Sequence, residues 1–457
     1  MTAPARHLGL EDVLARRMAV WGLGAEGLAM AGLARERGIE PLLVDDRPDE
    51  AAAAVAAALG SPVPVVAPDR ADWSDVEVVV RSPGVSRYRP ELAEAEAAGA
   101  MVTTAMALWL EDHADAAVLA VTGTKGKSTT ATLAAEVLRA DGRRVELIGN
   151  IGVPVLDTYG RPAPDVYVVE VSSYQAADVT RSPRAVVLTS LAPDHLDWHG
   201  GVEPYYRDKL RLIEAGPAPL LAVGAANDEA VARTAGHPDR VLFGPVGRVR
   251  VDDGGRLEVD GAALADTAHL RVAGDHNRWN LCAAVAGVLL ITGSAPSGGA
   301  VEAAMSAFGG LPSRCSVVGE RDGRTYVDDA LASNPFASAA SVGTFAGRPL
   351  TVIVGGADRG VDAAPLVEAL AAHHPPAAVV VLPPDPDRLA GALAPVAGRL
   401  TEATGLADAV ARATALTPDG GVVLFSPGAP TPEGGGGYRA RSRQFVEAAG
   451  LADPQPG

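Results

Sequence analysis

One ten-residue stretch restricts this chain more than any other. Val121-Thr122-Gly123-Thr124-Lys125-Gly126-Lys127-Ser128-Thr129-Thr130 follows a β-branched run at 117–122 and opens the Ala- and Leu-rich stretch 128–140. A glycine-rich turn from a strand into a helix leaves first-turn amides unpaired and facing whatever anion sits there. Gly126-Lys127-Ser128 is the end of a phosphate-binding loop: amides cradle the phosphates, Lys127 reaches the β and γ oxygens, and a hydroxyl meets Mg²⁺. The strict spacing needs glycine at 121, where valine stands, so this is a shortened variant.

The strand-then-helix rhythm recurs. Candidate strands lie at 18–22, 41–44, 76–80, 117–122, 166–172, 185–190, 350–354, 378–382 and 422–425, with helical stretches between them. That pattern predicts an α/β protein with mostly parallel sheets. A length of 457 residues suggests about three domains. Breaks are expected near His113 and at Gly309-Gly310-Leu311-Pro312, giving domains 1–113, 114–310 and 311–457. The proline-rich 375–386 and the glycine run 434–437 read as loop and flexible insertion.

Charge narrows the partners. The balance 39 − 56 = −17 argues against a nucleic-acid or anionic-membrane surface. No apolar run reaches membrane-spanning length, and no signal-peptide pattern opens the chain. The two cysteines, Cys282 and Cys315, form no CxxC pair, which fits a reducing, cytoplasmic setting. Only Lys125, Lys127 and Lys209 among the 39 basic residues are lysine. Positions that stay lysine in an arginine-using chain are candidates for chemistry that needs a compact or deprotonable amine.

A second glycine loop, Gly22-Leu23-Gly24-Ala25-Glu26-Gly27, also follows a strand and opens a helix. It would let a backbone approach a diphosphate, with Asp45 at the spacing of a ribose-binding acid. Read alone it suits a dinucleotide-dependent oxidoreductase, a UDP-sugar site or a plain tight turn. In Asp194-His195-Leu196-Asp197-Trp198-His199 the bland reading is a capping histidine within a solvated helix start, and a zinc site is an alternative.

GTKGKST resembles the loop of the Mur ligases and folylpolyglutamate synthetases, and other segments resemble the Mur side. They are Gly149-Asn150-Ile151-Gly152, Glu170-Val171-Ser172-Ser173-Tyr174-Gln175, Asp194-His195-Leu196-Asp197 with Tyr206-Arg207-Asp208-Lys209, His276-Asn277-Arg278-Trp279-Asn280 and Leu311-Pro312-Ser313-Arg314. The glutamate-adding members are the nearest likeness, through the first glycine loop and Ser82-Pro83-Gly84. The resemblance implies a UDP-binding Rossmann-like domain, a central P-loop ATPase domain and a C-terminal Rossmann-like domain. It implies ATP-dependent ligation of glutamate to UDP-N-acetylmuramoyl-L-alanine through an acyl phosphate, with Mg²⁺.

By the same resemblance Lys127, His195 and Lys209 are catalytic. ATP is held by Gly123, Thr124, Lys125, Gly126, Lys127, Ser128, Thr129, Asn277, Arg314 and Asp329. The UDP portion is held by Gly22, Gly24, Gly27, Asp45, Arg47, Ser82, Gly84 and Asn150. Metal is held by Ser128, Glu170, His195 and a carbamylated Lys209, and the amino acid by Ser333, Arg359 and Ser426. Closure around ATP would carry Arg314, Asp329 and Ser426 onto the central site.

Departures cluster late in the chain. Asp329-Ala330-Leu331-Ala332-Ser333-Asn334 has leucine where D-glutamate ligases carry lysine, and Ser426-Pro427-Gly428-Ala429-Pro430-Thr431-Pro432 loses the following Asp and Phe. Lys125, Asp194-His195-Leu196-Asp197-Trp198-His199 and the Ser426-Pro427-Gly428-Ala429-Pro430 tail resemble the branch that adds L-glutamate. D-glutamate is the alternative substrate.

Overall fold

The computed structural model describes residues 7–151, 153–272, 274–357, 362–384, 386–432 and 436–451. Three sheets carry the fold. The first is five parallel strands in the order Val65–Val66, Leu42–Val44, Met18–Trp21, Val78–Arg81 and Met101–Thr103. The central sheet has nine strands, with Val118–Thr122 between Ala185–Leu188 and Val166–Glu170. The third has six, with Val422–Phe425 between Arg324–Asp328 and Leu350–Val354.

Every candidate strand read from the sequence is present; 350–354 and 422–425 keep their bounds, and the others are trimmed or shifted by one or two residues. The stretch 166–172 stops at Glu170 because the Ser172 side chain caps the next helix, accepting from Gln175 N. The stretch 76–80 slides to Val78–Arg81, so a buried arginine ends a strand. Not all pairing is parallel. Val249–Val251, Arg256–Val259 and Ala262–Asp266 form an antiparallel meander at one edge of the central sheet. Ser316–Arg321 pairs antiparallel with Arg324–Asp328 in the third sheet.

The central sheet is buried because helices cover it. Lys127–Ala140 and the 18-residue Asp275–Thr292 pack together against its strands. A Cβ on Gly287 would lie 2.9 Å from Val187 Cγ2 and 3.1 Å from Leu119 Cδ2, so glycine sets how closely that helix approaches. No helix among the described residues is long and apolar enough to cross a membrane.

By compactness the chain divides into two units, residues 1–270 with 275–308, and 271–274 with 309–457. The first unit contains both the five-stranded and the nine-stranded sheet. Arg81 is a buried link between them. Its Nε donates to Asp178 Oδ2 at 2.7 Å, Nη1 to Val85 O at 2.9 Å and Nη2 to Tyr174 O at 2.9 Å. Arg87 Nε adds a second contact to Asp178 at 2.8 Å. In the second unit, Val352, Val354 and Val379 pack with Leu366, Leu370 and Leu393. The opposite face packs Ile353, Val423 and Phe425 with Val410 and Phe445. Of the run 434–437, residues 434 and 435 lie outside the described residues.

Candidate active site

Ligands of parallel sheets bind beyond the carboxyl ends of the strands. Here four neighbouring central strands deliver the site. Val118–Thr122 leads into Gly123–Lys127, Val166–Glu170 into Ser172–Tyr174, Ala185–Leu188 into Asp194 and His195, and Val145–Gly149 into Asn150. Gly123 and Gly126 hold φ of +141° and +85°, where side chains are strained. A Cβ would also lie 2.0 Å from Thr189 Oγ1 at Gly123, or 2.4 Å from Asn280 Oδ1 at Gly126. The turn therefore requires glycine at both positions.

Lys127 Nζ donates to Gly123 O at 2.9 Å and to Thr124 O at 3.1 Å. Lys209, from the helix Val202–Glu214, donates to the same Gly123 carbonyl at 2.9 Å. It is 2 % exposed, with Nζ 5.1 Å from the Tyr205 ring centre. Burial, and then the Lys127 charge, push this amine well below the ordinary lysine value, against the pull of Asp194 and Glu170. Burying an ammonium without a carboxylate contact is costly, so the neutral amine is favoured.

His195 sits at φ +52° and begins the helix Leu196–His199. Its ring is half exposed, with Nδ1 3.7 Å from Asp194 Oδ1. Partial burial lowers its pKa; Asp194 opposes this, and the lysine charges reinforce it. Lys125 is exposed, 3.7 Å from Asp194 Oδ2. Thr129 is half-buried on the first turn of the loop helix. A cavity open to solvent is lined by Gly123, Lys127, Asn150, Ser173, His195 and Lys209 among others.

Two oxygens beside this cavity's elements bear on metal binding. Ser128 Oγ is buried without a hydrogen-bond partner among the described residues. Glu170, fully buried and level with Val121 in the sheet register, accepts from Asn150 Nδ2 at 2.7 Å through Oε1, while Oε2 has no hydrogen-bond partner among the described residues. Buried polar atoms are seldom left so, and a hard cation takes oxygen ligands. These groups fit Mg²⁺. For the zinc alternative, no three His, Cys, Asp or Glu residues converge among the described residues. His199 is not on a solvated helix start either: its side chain is fully buried. Asn280, from the His276–Asn280 segment, reaches Asn277 Oδ1 at 3.3 Å and Thr130 Oγ1 at 3.5 Å.

The first glycine loop lies at the carboxyl end of the five-stranded sheet. Gly24 caps the helix Ala25–Glu36 with open space where a Cβ would stand. At Gly27 a Cβ would lie 2.0 Å from Gly22 O, which also accepts from Ser82 Oγ. Asp45 accepts from Leu23 N at 2.8 Å and Arg47 N at 2.9 Å, so it braces the loop. Arg47 is exposed and pairs with Glu50 at 2.9 Å. Gly84 O accepts from Trp198 Nε1 at 3.3 Å.

In the second unit, Asp329 is buried and accepts from Ser426 Oγ at 2.6 Å, Ser341 Oγ at 2.7 Å and Cys315 N at 3.0 Å. Ser426, fully buried, is thus turned toward Asp329. Arg314 and Ser333 are exposed. Arg359 lies outside the described residues. Arg441 is buried, donating through Nη2 to Gly355 O at 2.9 Å, while Nη1 has no hydrogen-bond partner among the described residues. Burial lowers its pKa to about 10.

Family models match along the chain: a MurD-like N-terminal domain of Mur ligases at 16–104, the Mur ligase middle domain at 121–288, and the Mur ligase glutamate ligase domain at 313–428. A Micromonospora protein named UDP-N-acetylmuramoyl-L-alanine--L-glutamate ligase is 41% identical, over 96% of this chain and 97% of its own. The chain belongs to the Mur ligase family. A Salinispora tropica protein of the same name is 40% identical over 96% of this chain and 98% of its own. Among solved structures, MurF from Acinetobacter baumannii matches with TM-score 0.63 at 17% identity, covering 98% of this chain and 99% of its own. MurC from Thermotoga maritima matches with TM-score 0.60 at 19% identity, covering 94% and 98%. As a Mur ligase the protein is an ATP-dependent acid–amino-acid ligase that forms a carbon–nitrogen bond.

This Mur ligase carries a pH signature in its second unit. Burial holds the Asp329 carboxyl at about 6, above the ordinary aspartate value, against the Ser426 and Ser341 hydrogen bonds that favour ionisation. The folded state therefore keeps a proton that the unfolded chain releases near pH 3.8. Its stabilising contribution is complete below that pH and is lost as pH rises through about 6. Between pH 4 and 7.5, urea unfolding should show Asp329→Asn gaining on the parent protein by up to about 3 kcal/mol. A difference independent of pH would refute this.

Proposed function

We propose that this Mur ligase joins L-glutamate to UDP-N-acetylmuramoyl-L-alanine, with ATP cleaved to ADP and phosphate. The observation that carries the reading is the pair Lys127 and Lys209 on the Gly123 carbonyl, within a chain 41% identical to a ligase of that name. A carboxylate is a poor electrophile, so ATP first phosphorylates it. The loop amides and Lys127 then neutralise the transferring phosphoryl group. Gly123 to Thr129, with Asn277, Arg314 and Asp329, take the nucleotide. Gly22, Gly24, Gly27, Asp45, Arg47, Ser82, Gly84 and Asn150 take the UDP-muramoyl portion. Ser333, Arg359 and Ser426 take the amino acid.

Ser128 and Glu170 would hold one Mg²⁺, and His195 with a carbamylated Lys209 a second. Bound there, Mg²⁺ supplies charge stabilisation to the phosphate oxygens. Carbamylation needs a neutral amine, the form that burial favours at Lys209. A cytoplasmic setting completes the reading.

L-glutamate is favoured over D-glutamate by the rebuilt segments at Leu331 and after Ser426. Enantiomers present the same groups in different directions, and an amine out of line for attack loses orientation. ADP release with each enantiomer should differ by about a hundredfold, which needs only roughly 3 kcal/mol. Equal or faster turnover with D-glutamate would overturn the preference and leave the ligase standing. NAD(P)H binding would favour the oxidoreductase reading of the first glycine loop.

A further inference from the structure

Ser173, His199 and Asp208 come from three separate elements and form a buried chain. His199 Nδ1 lies 2.7 Å from Asp208 Oδ2, and His199 Nε2 lies 2.9 Å from Ser173 Oγ. Asp208 accepts from the Tyr88 hydroxyl at 2.9 Å, and Arg207 Nη2 donates to that hydroxyl at 2.7 Å. The chain is continuous when Asp208 Oδ2 accepts from His199 Nδ1–H and His199 Nε2 accepts from the Ser173 hydroxyl. The rings of Tyr174, Trp198 and Tyr205 surround the imidazole, with centres 5.6, 4.4 and 5.2 Å away. Ser173 lines the cavity that holds Lys127 and Lys209. The serine is therefore where the chain meets the reacting groups.

We propose that this serine–histidine–aspartate chain accepts the proton that the incoming amine must lose, an inference resting on the ligase reading above. The order hydroxyl, imidazole, carboxylate identifies such a relay by geometry, whatever the fold. A free amino acid arrives as an ammonium with no lone pair to attack. Of the other groups on the cavity, Lys127, His195 and Lys209 are assigned to phosphate and metal, and Asp194 lies 3.7 Å from both His195 and Lys125.

An N–H bond of the ammonium breaks, and its proton passes to Ser173 Oγ as the serine's own proton moves to His199 Nε2. The imidazolium is held by Asp208. The freed lone pair forms the C–N bond to the acyl-phosphate carbon, and the C–O bond to phosphate breaks with its electrons on the leaving oxygen. The second amine proton goes to that phosphate, and the imidazolium releases its proton through Ser173 to water. Ser173 is the catalytic residue, and His199 and Asp208 are positioning residues acting through it.

Hydroxylamine separates this role from a structural one, because it is uncharged at neutral pH and attacks an acyl phosphate without a base. The parent protein, Ser173→Ala and His199→Gln are each given ATP and UDP-N-acetylmuramoyl-L-alanine, with either L-glutamate or hydroxylamine. Ligation should fall about a hundredfold or more in both variants. Hydroxamate formation should fall far less, so the ratio of the two products shifts by more than about tenfold. Parallel loss of both reactions in a folded variant, or ligation near the parent rate, would overturn the proposal. Ser173→Ala removes a single oxygen and decides the matter if His199→Gln fails to fold. A parent protein that forms neither ADP nor hydroxamate would instead count against the ligase reading.

Discussion

Lys127→Ala should leave a folded protein with almost no ligase activity. Lys127 lies in the loop after the central strand, and its ammonium already sits on the carbonyls of Gly123 and Thr124 at 2.9 and 3.1 Å. ATP would exchange those carbonyls for phosphate oxygens, so that both partners in the contact carry charge. Removing a preorganised charge from the transferring group costs about 4 kcal/mol, or about a thousandfold in turnover. The side chain is only part-buried, so truncation opens no core cavity and thermal unfolding should be little changed. ADP release under saturating substrates checks the prediction. A folded Lys127→Ala enzyme with near-normal turnover would remove the lysine from the chemistry.

Lys209→Arg should be nearly as damaging although the formal charge is kept. The amine is enclosed by the protein and bonded to Gly123 O. A guanidinium is larger, does not lose its proton at working pH and forms no carbamate. A drop of about a hundredfold or more in turnover is expected, about 3 kcal/mol. Lys209→Ala leaves a space instead, and a small carboxylate such as acetate should restore part of its activity. Full activity of Lys209→Arg would make this lysine a structural cation, and absence of rescue would weaken the carbamate assignment alone.

The alternation of β-branched runs with Ala- and Leu-rich stretches made three parallel strands in each sheet legible, because buried parallel strands read as continuous apolar runs; Met101–Thr103, Val145–Gly149, Leu220–Gly224, Arg240–Gly244 and Arg399–Glu402 were not read from it. The edges were less so. Val65–Val66 is two residues long, and the meander from Val249 to Asp266 interleaves Arg250, Glu258 and Asp266 with its apolar positions. Short, half-exposed strands with charges carry a weak signal. In the site, Lys127 and Glu170 were legible because a strand end and a glycine loop fix their place. Ser173 and Asp208 were visible in the sequence only as neighbours of other residues. Their meeting through His199 joins the helices Ser173–Ala176, Leu196–His199 and Val202–Glu214, and no spacing along the chain encodes it. Arg441 likewise reads as one more surface arginine until the fold buries it under the Gly355 carbonyl.

The scarcity of lysine has a practical corollary. Two of the three lysine amines share one backbone carbonyl, and the third stands on the loop that carries it. On most proteins an acylating reagent scatters its label over the surface. On this one, labelled side chains would be confined to the nucleotide loop and the helix beside it. Mass spectrometry of a partly acylated sample would then work as a footprint of a single place: nucleotide binding would mask Lys127, while Lys209, enclosed by the protein, stays out of the reagent's reach. Lys125, exposed beside Asp194, would take the label most readily in the absence of nucleotide.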